Sequence, residues 1–530
     1  MDNENIVKFM KKPEFFGKDI KSVETIETHI SYIFLTGNFA YKIKKPVNYG
    51  FLDFSTLEKR KFYCFEELKL NKRLCPEIYI EILPITKNNN LIELNGKGKV
   101  LEYALKMKEF PQEKLMKNLL KKGKITTKEI KKINKILINF YITSKTTDEI
   151  NRYGKIENIK KNIIENFNQT KSFINKTISE DNYNYINKSV NLFFKKNKKL
   201  FNKRILNKNI HDCHGDLHTG NIVITKNKIY IFDCIEFNKR FRYCDTASDL
   251  GFLAMDLDYL NYPYTSSFMM KNYIENSNDH DILQILNFYK SYRAYVRGKV
   301  NSFNLNNTIK KEKYNIILNE ANKYFELSKY YSSLVRIDIK KKKPLFFIIC
   351  GLTGTGKSTL SMKISIDYNA KIINTDIIRK KIAGMNIFEK HYNDFNTGLY
   401  SPNNISSTYE KVIKKARQYL NNDENVIIDA TFQKNEYREM VNEIAEEFDV
   451  TPIIIQCVAP ENIVKKWLEE RLKTKTVSDG RWEIYQSQKK IFEPFKIKKN
   501  NYLIIDMSKD SFEERKENFN SILLKINGIL

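Results

Sequence analysis

The segment Gly351-Leu-Thr-Gly-Thr-Gly-Lys357-Ser358, entered directly from the apolar run Leu345-Phe-Phe-Ile-Ile-Cys350, restricts its part of the chain to few folds. A buried strand has to feed a glycine turn whose backbone N–H groups face inward, and a helix has to open at once behind it. Thr359-Leu-Ser-Met-Lys-Ile364 reads as that helix. The turn is a phosphate cradle, because inward N–H groups and a helix N-terminus both favour anionic oxygen. Lys357 is expected to reach the β- and γ-phosphates of ATP, and the Ser358 hydroxyl to ligate Mg²⁺. Gly351, Thr353, Gly354, Thr355, Gly356 and Thr359 are expected to line the nucleotide.

Two further strand ends carry chemistry. Val426-Ile-Ile-Asp429 reads as a buried strand ending in a carboxylate suited to Mg²⁺. Asp376 follows the strand-like Lys371-Ile-Ile-Asn-Thr375, with Arg379 three residues on. At a helix start this spacing puts both on one face, where Asp376 can take a hydroxyl proton and Arg379 can hold an anionic group. The plainer alternative is a helix cap with a surface arginine. Gly351–Thr359, Asp376-Ile-Ile-Arg379 and Asp429-Ala-Thr431 together resemble the small P-loop kinases that include polynucleotide 5′-kinases, chloramphenicol phosphotransferases and zeta toxins, over 345–530. The resemblance implies Asp376 as general base, Arg379 as a substrate or phosphate contact, and an arginine-bearing lid. Glu470-Arg471 through Asp479-Gly-Arg481 is the lid candidate, with Arg471 as its arginine; Lys475 stands where relatives often carry another.

Upstream, His214-Gly-Asp216-Leu-His-Thr-Gly-Asn221 places Asn five positions after Asp, the catalytic-loop spacing of protein kinases. In that chemistry Asp216 accepts the proton of an attacking hydroxyl and Asn221 reaches a Mg²⁺ ion. Asp233 ends Ile229-Tyr-Ile-Phe-Asp233 and is the expected second metal carboxylate. Asp245 and Asp249 are either anchors of the loop or ordinary helix-start carboxylates. Phe39-Ala-Tyr-Lys42 resembles a strand presenting an ATP lysine; Lys44 shares its face, so the choice between them stays open. The partner is Glu67, or Glu66 beside it, on a helix of about Ser55 to Leu74. His211, Cys213, His214 and His218 are close enough in sequence to suggest zinc, but no second ligand pair stands at a zinc spacing. The kinase-loop reading absorbs His214 and His218 as packing residues instead.

Residues 20–330 resemble the aminoglycoside phosphotransferase-like kinases in the order lysine strand, glutamate helix, His-Gly-Asp loop, metal Asp. Thr28-His-Ile-Ser31, Tyr41-Lys-Ile-Lys-Lys-Pro46, Phe51-Leu-Asp-Phe-Ser-Thr-Leu57, His214–Asn221 and Asp233-Cys-Ile-Glu-Phe237 run together in one order. With the P-loop half they resemble bacterial two-domain proteins described as bifunctional aminoglycoside phosphotransferase-like/ATP-binding proteins. No Gly-x-Gly-x-x-Gly precedes the lysine strand, so the turn at Thr28 and Ser31 is the expected phosphate cover. His214-Gly in place of His-Arg argues for a small-molecule acceptor.

The boundary falls at Lys340-Lys-Lys-Lys343-Pro344, after a helical pattern from Asn306 to about Tyr331 with Ile309, Ile316, Leu318, Ala321 and Leu327 as expected buried positions. Expected domains are 1–338, with a small lobe to about 110 and a large lobe over 111–338, and 344–530. The fold class is a bilobal protein-kinase-like α+β fold followed by an α/β P-loop kinase fold with a parallel sheet. Of 530 residues, 91 are Lys or Arg and 63 Asp or Glu, a net +28. That charge either draws anions, nucleic acid among them, or reflects a chain rich in Lys, Asn and Ile throughout; it disfavours a polycationic acceptor. Seven scattered cysteines without a Cys-x-x-Cys pair suit a reducing compartment. No apolar stretch is long enough to span a bilayer, and the polar start is unlike a secretory signal. The expectation is a cytoplasmic ATP- and Mg²⁺-dependent phosphotransferase with two modules acting on small-molecule hydroxyls. Alternatives are 5′-end kinase activity on nucleic acid in the P-loop domain, or one module gating the other.

Overall fold

A computed structural model describes residues 3–89, 91–305, 310–389, 397–472, 477–495, 501–509 and 511–529. The chain divides into two compact units. The first comprises Met1–Glu165, Lys198–Leu260 and Asn272–Asp279; the second comprises Asn166–Asn197, Asn261–Lys271 and His280–Leu530.

The first unit opens with a six-stranded sheet in the order β1-β2-β3-β6-β4-β5. Its strands are β1 (Glu24–Glu27), β2 (Ser31–Leu35), β3 (Phe39–Lys44), β4 (Tyr79–Asn88), β5 (Leu91–Leu94) and β6 (Lys99–Lys108), and every pairing is antiparallel. Alternation sorts β3 into two faces. Tyr41 and Ile43 enter a core with Phe34, Ile85 and Ala104, while Lys42 and Lys44 face the other way. That second face is covered by the helix Leu57–Asn71, capped by Thr56 and burying Arg60, Cys64, Glu67 and Asn71. The strand-like runs of the sequence, Tyr32–Leu35, Phe39–Ile43 and Val100–Leu105, fall in β2, β3 and β6, while β1, β4 and β5 were not expected. Beyond the sheet, β7 (Ile210–Asp212) pairs with β10 (Tyr243–Asp245), and β8 (Ile222–Ile224) with β9 (Ile229–Ile231). The buried helix Thr246–Tyr259 follows directly. Sheet, glutamate helix, paired short strands and helical remainder make the bilobal kinase-like fold.

The second unit holds a five-stranded parallel sheet in the order β12-β13-β11-β14-β15. Its strands are β11 (Phe346–Cys350), β12 (Ala370–Asn374), β13 (Asn425–Asp429), β14 (Pro452–Val458) and β15 (Tyr502–Asp506). Every residue of β11 and β13 is buried, as expected of central parallel strands covered on both faces. From β11 the chain crosses to β12 at one edge, returns to β13 between them and then crosses to β14 and β15 on the other side, so the crevice beyond the carboxyl ends of β11 and β13 is a topological switch point.

The same unit includes the helices Ile282–Leu305 and Lys311–Lys340, which pack on each other and on the helix Lys357–Tyr368. Asn287 donates to the carbonyl of Asp367 at 2.8 Å, Tyr330 donates to its carboxylate at 2.8 Å, and Lys363 pairs with it. The basic stretch at 340–343 therefore lies inside a compact unit as well as between two folds. In the helix Lys311–Lys340 the buried stripe runs through Ile317, Ala321, Tyr324, Phe325, Ser328 and Tyr331. Ile316, read from sequence as buried, is 60% exposed, because the stripe is set by aromatic residues one position out of phase. Residues 306–309, including the Asn306 start and Ile309, lie outside the described residues. Among the described residues no helix is long and apolar enough to cross a membrane.

Candidate active sites

In the first unit β3 delivers two lysines to one glutamate. Lys42 Nζ lies 2.7 Å from Glu67 Oε1 and 3.0 Å from Asp233 Oδ1. Lys44 Nζ lies 2.7 Å from Glu67 Oε2 and also pairs with Glu236. The neighbouring Glu66 turns outward to Lys69. Burial pushes the Glu67 carboxyl up, but the two ammonium groups outweigh it and hold it below the usual range. Burial likewise disfavours both ammonium ions, yet the carboxylates around them raise Lys42 and Lys44 above the ordinary lysine value.

Asp233 holds a left-handed φ of 64°, a conformation costing a non-glycine residue roughly 1–2 kcal/mol. Neighbours fix it there: its N–H donates to the Tyr79 hydroxyl at 3.2 Å, and the N–H of Cys234 donates to Asn71 at 2.8 Å. The Asp233 side chain stays 45% exposed while bound to Lys42.

The His-Gly-Asp loop hangs from the helix behind it. Asp249 accepts the N–H of His214 at 2.7 Å and of Gly215 at 2.9 Å. Asp245 does something different: it caps its own helix through Ala247 N–H and binds the buried Arg204. His214 Nε2 lies 2.9 Å from the Phe232 carbonyl, and its Nδ1 accepts Asp216 N–H at 3.2 Å. Burial lowers its pKa, against the pull of Asp249 and Asp216. Asn221 donates to the Asp216 carbonyl at 3.0 Å and to its carboxylate at 3.1 Å. With that nitrogen engaged, the Asn221 amide oxygen and the Asp233 carboxylate are the hard oxygen donors that suit Mg²⁺.

Several residues near this site escaped the sequence reading. His218 Nε2 lies 3.4 Å from Asp216 Oδ2, so it touches the candidate base as well as packing the loop. Asp256 accepts from Thr219 N–H and hydroxyl, and it stands seven residues after Asp249 on the same helix face. Glu236 follows Asp233 by three residues and could have been weighed with it. The zinc candidates diverge: His211 meets Ser144, Cys213 meets the Cys244 carbonyl, and His214 and His218 serve the backbone. At the proposed phosphate cover, the Thr28 hydroxyl accepts Ser31 N–H at 3.0 Å and donates to the Ser31 carbonyl, closing the β1–β2 hairpin on itself. The Ser31 hydroxyl is buried without a partner.

In the second unit the P-loop follows β11. Gly351 has φ 130°, and a Cβ there would sit 2.4 Å from the Cys457 carbonyl, so no larger residue fits this turn. Lys357 Nζ curls back to the Leu352 carbonyl at 2.8 Å, and burial lowers its pKa against the pull of Asp429. Asp429, at the end of β13, accepts Asn374 Nδ2 at 2.9 Å and a hydrogen bond from Ser358; burial raises its pKa. The Ser358 hydroxyl and Asp429 carboxylate form an oxygen pair that fits Mg²⁺, beside a cradle only glycine can line.

Asn374 does double duty, because its side-chain oxygen accepts the N–H of Ile377 and caps the helix Thr375–Ile382. Asp376 sits in the first turn and pairs with Arg379 Nη1 at 2.7 Å. Burial pushes the Asp376 carboxyl up, but Arg379, Ser478 and Lys357 together draw it below the ordinary value. The Arg379 guanidinium lies over the Tyr400 ring at 4.5 Å, and its Nε is buried without a partner. Burial lowers the pKa of Arg471 against the pull of Asp376 and Asp429, so it stands within reach of the same two carboxylates. Thr353 N–H donates to Gln488 at 2.8 Å, fastening the loop to the helix Trp482–Ile491. Arg481, at that helix's N-terminus, lies 3.5 Å from Glu483. Lys475 lies outside the described residues. Asp376, Arg379, Asp429, Lys357, Ser358 and Arg471 thus converge.

Residues 346–495 match the family model described as an AAA domain. The chain is similar to "Uncharacterized protein Rv2004c" of Mycobacterium tuberculosis, 26% identical over 442 residues that cover 83% of this chain and 85% of the relative. "Uncharacterized protein Mb2027c" of Mycobacterium bovis matches to the same extent. Among solved structures it is similar to a choline/ethanolamine kinase family protein from Mesorhizobium loti, at 10% identity over 63% of this chain and 99% of that one, TM-score 0.38. It is also similar to aminoglycoside 2′-phosphotransferase-IIIa in its GDP complex, at 13% identity over 62% and 99%, TM-score 0.37. A third likeness is to a gluconokinase from Sinorhizobium meliloti, at 15% identity over 35% and 94%, TM-score 0.25. The strand orders and loop geometries above define the two folds, not these overall scores.

Proposed function

We propose that the chain is an ATP-dependent phosphotransferase with two separate transfer sites, each acting on a hydroxyl of a small molecule. The carrying observation is Asp376: at the edge of a P-loop it pairs with Arg379 at 2.7 Å, and although burial pushes its carboxyl up, Arg379, Ser478 and Lys357 draw it below the ordinary value. A carboxylate kept charged beside a phosphate cradle is suited to accept a hydroxyl proton. Asp216 occupies the equivalent place in the first unit, aligned by Asn221 and His218.

Mg²⁺ would be held by Ser358 and Asp429 in one site and by Asn221 and Asp233 in the other, where it supplies charge neutralisation on phosphate oxygen. The chain's own groups do the rest. Lys42, oriented by Glu67, and Lys357 hold the transferring phosphates; Arg471 offers charge where negative charge develops. Arg379 orients the acceptor against Asp376. Positioning and electrostatics supply the rate, with no covalent step on the protein. On this reading residues 1–338 and 344–530 are the two functional domains, and the seven free cysteines suit the cytoplasm.

The test is to incubate a metabolite extract with labelled ATP and the wild type, Asp216→Ala or Asp376→Ala. Each variant should lose a different labelled product. Identical labelling in all three would remove both residues as bases. The net charge of +28 favours a second reading, in which the P-loop site phosphorylates nucleic acid ends. Binding to a short oligonucleotide that weakens steeply with salt would support it. A module that binds ATP yet labels nothing would be a nucleotide-gated regulator.

A further inference from the structure

Lys380 has no part in the steps above, yet only 1% of it is exposed. A lysine so placed is tolerated only where its charge and its three N–H donors are met. Its Nζ lies 2.6 Å from the Glu389 carbonyl, 2.7 Å from the Val477 carbonyl, 3.4 Å from the Ile387 carbonyl and 3.0 Å from Asp479 Oδ1. Both side chains of the Lys380–Asp479 pair are 2% exposed. One ammonium thus fastens two distant stretches, 386–389 and 477–479, to the helix that carries Asp376.

What it fastens reaches the site directly. The Ser478 side chain hydrogen-bonds Asp376. Gly480 lies so close to the P-loop that a Cβ on it would stand 2.0 Å from Thr353 Oγ1. The second oxygen of Asp479 is 3.4 Å from the Tyr400 hydroxyl, and the Tyr400 ring supports Arg379.

We infer that Lys380 is a positioning residue of the P-loop site: it holds segment 477–480 in place so that Ser478 meets Asp376 and Gly480 meets the P-loop. The inference rests on Asp376 being the base. A buried ion pair is weak evidence for stability in itself, but removing one partner leaves the other charge uncompensated. Lys380→Met strands Asp479 and frees both stretches. Asp479→Asn keeps the bonds to the Ile387, Glu389 and Val477 carbonyls and removes only the charged contact at 479, so it loosens 477–480 less than Lys380→Met does.

Hydrogen–deuterium exchange on the full chain tests this, with peptides over β11 and β13 as the control for folding. In Lys380→Met, exchange over 386–389 and 477–481 should rise at least about tenfold while β11 and β13 stay protected. In Asp479→Asn only 477–481 should loosen, a variant that keeps the test open if Lys380→Met fails to fold. In an Asp216→Asn background, ATP turnover by Lys380→Met should fall about 10- to 100-fold with KM for ATP changed less than about threefold. Its acid limb should move to higher pH, because Asp376 loses the Ser478 hydrogen bond. Unchanged exchange in both stretches, loosening of β11 and β13 in both variants, or an unmoved acid limb would each overturn the inference. Absence of turnover in the Asp216→Asn parent would count against the phosphotransferase reading alone, since exchange does not depend on it.

Discussion

Asp376 and Asp429 stand close enough to share Lys357 and Arg471, yet their surroundings push them in opposite directions. Asp376 is drawn below its ordinary value, Asp429 is raised above it by burial. For Asp376 the sign is that of a depressed acid: it adds stability above its unfolded pKa and loses it as pH falls through the lower folded value. Arg379→Met removes the largest opposing charge and leaves burial to raise the base. The acid limb of turnover should then move upward, with kcat down about 10²-fold, measured as a pH–rate profile. For Asp429 the sign reverses, because the raised folded pKa makes its charge a cost once pH rises through that value. Asp429→Asn should therefore raise the melting temperature at neutral pH, where each ~1 kcal/mol is worth roughly 2–4 °C at this domain size, while weakening Mg²⁺-dependent nucleotide binding. Thermal unfolding and titration with a fluescent ADP analogue check the two halves. The candidate residues that sequence made legible, Lys357, Ser358, Asp216 and Asn221, sit in motifs whose spacings span a few positions. Lys44 did not reveal its partner, since Glu236 lies 192 residues away. Nor did Thr28 show that its hydroxyl is used within its own hairpin.

At the level of elements, the helix Thr246–Tyr259 holds the His-Gly-Asp loop through Asp249, which accepts the N–H groups of His214 and Gly215, and through Asp256, which accepts from Thr219. Asp249→Ala leaves two buried N–H groups unmet and should destabilise the protein by roughly 3 kcal/mol or more, with loss of transfer at the first site. Urea unfolding followed alongside labelled-product formation separates these effects, and Asp245→Ala should instead act through Arg204. Strand β4 was illegible for a physical reason. It carries Pro84 and shifts register between Tyr79 and Glu81 and again between Ile85 and Thr86, so its alternation breaks twice. The central strands β11 and β13 were legible because their burial on both faces demands an unbroken apolar run. The long helix Lys311–Lys340 was legible as a helix but not in phase, since Tyr324, Phe325 and Tyr331 define its buried side.

For the whole molecule, the proposed pair of nucleotide sites predicts two equivalents of ATP analogue bound per chain. Lys357→Ala should reduce this to one, read by calorimetry, with the remaining site unchanged in affinity. A variant that kept both would remove the P-loop from the account. The two fold types were readable because each has its own strand-and-loop grammar. Compactness was not readable, because it depends on which helices cover which face. Lys341 and Leu345 N–H both donate to Asn425, and Asn287, Tyr330 and Lys363 all converge on Asp367. The basic stretch is therefore a poor place to cut: a chain beginning at 344 keeps the P-loop but leaves the helix Lys357–Tyr368 bare, whereas one beginning at 280 carries that cover with it.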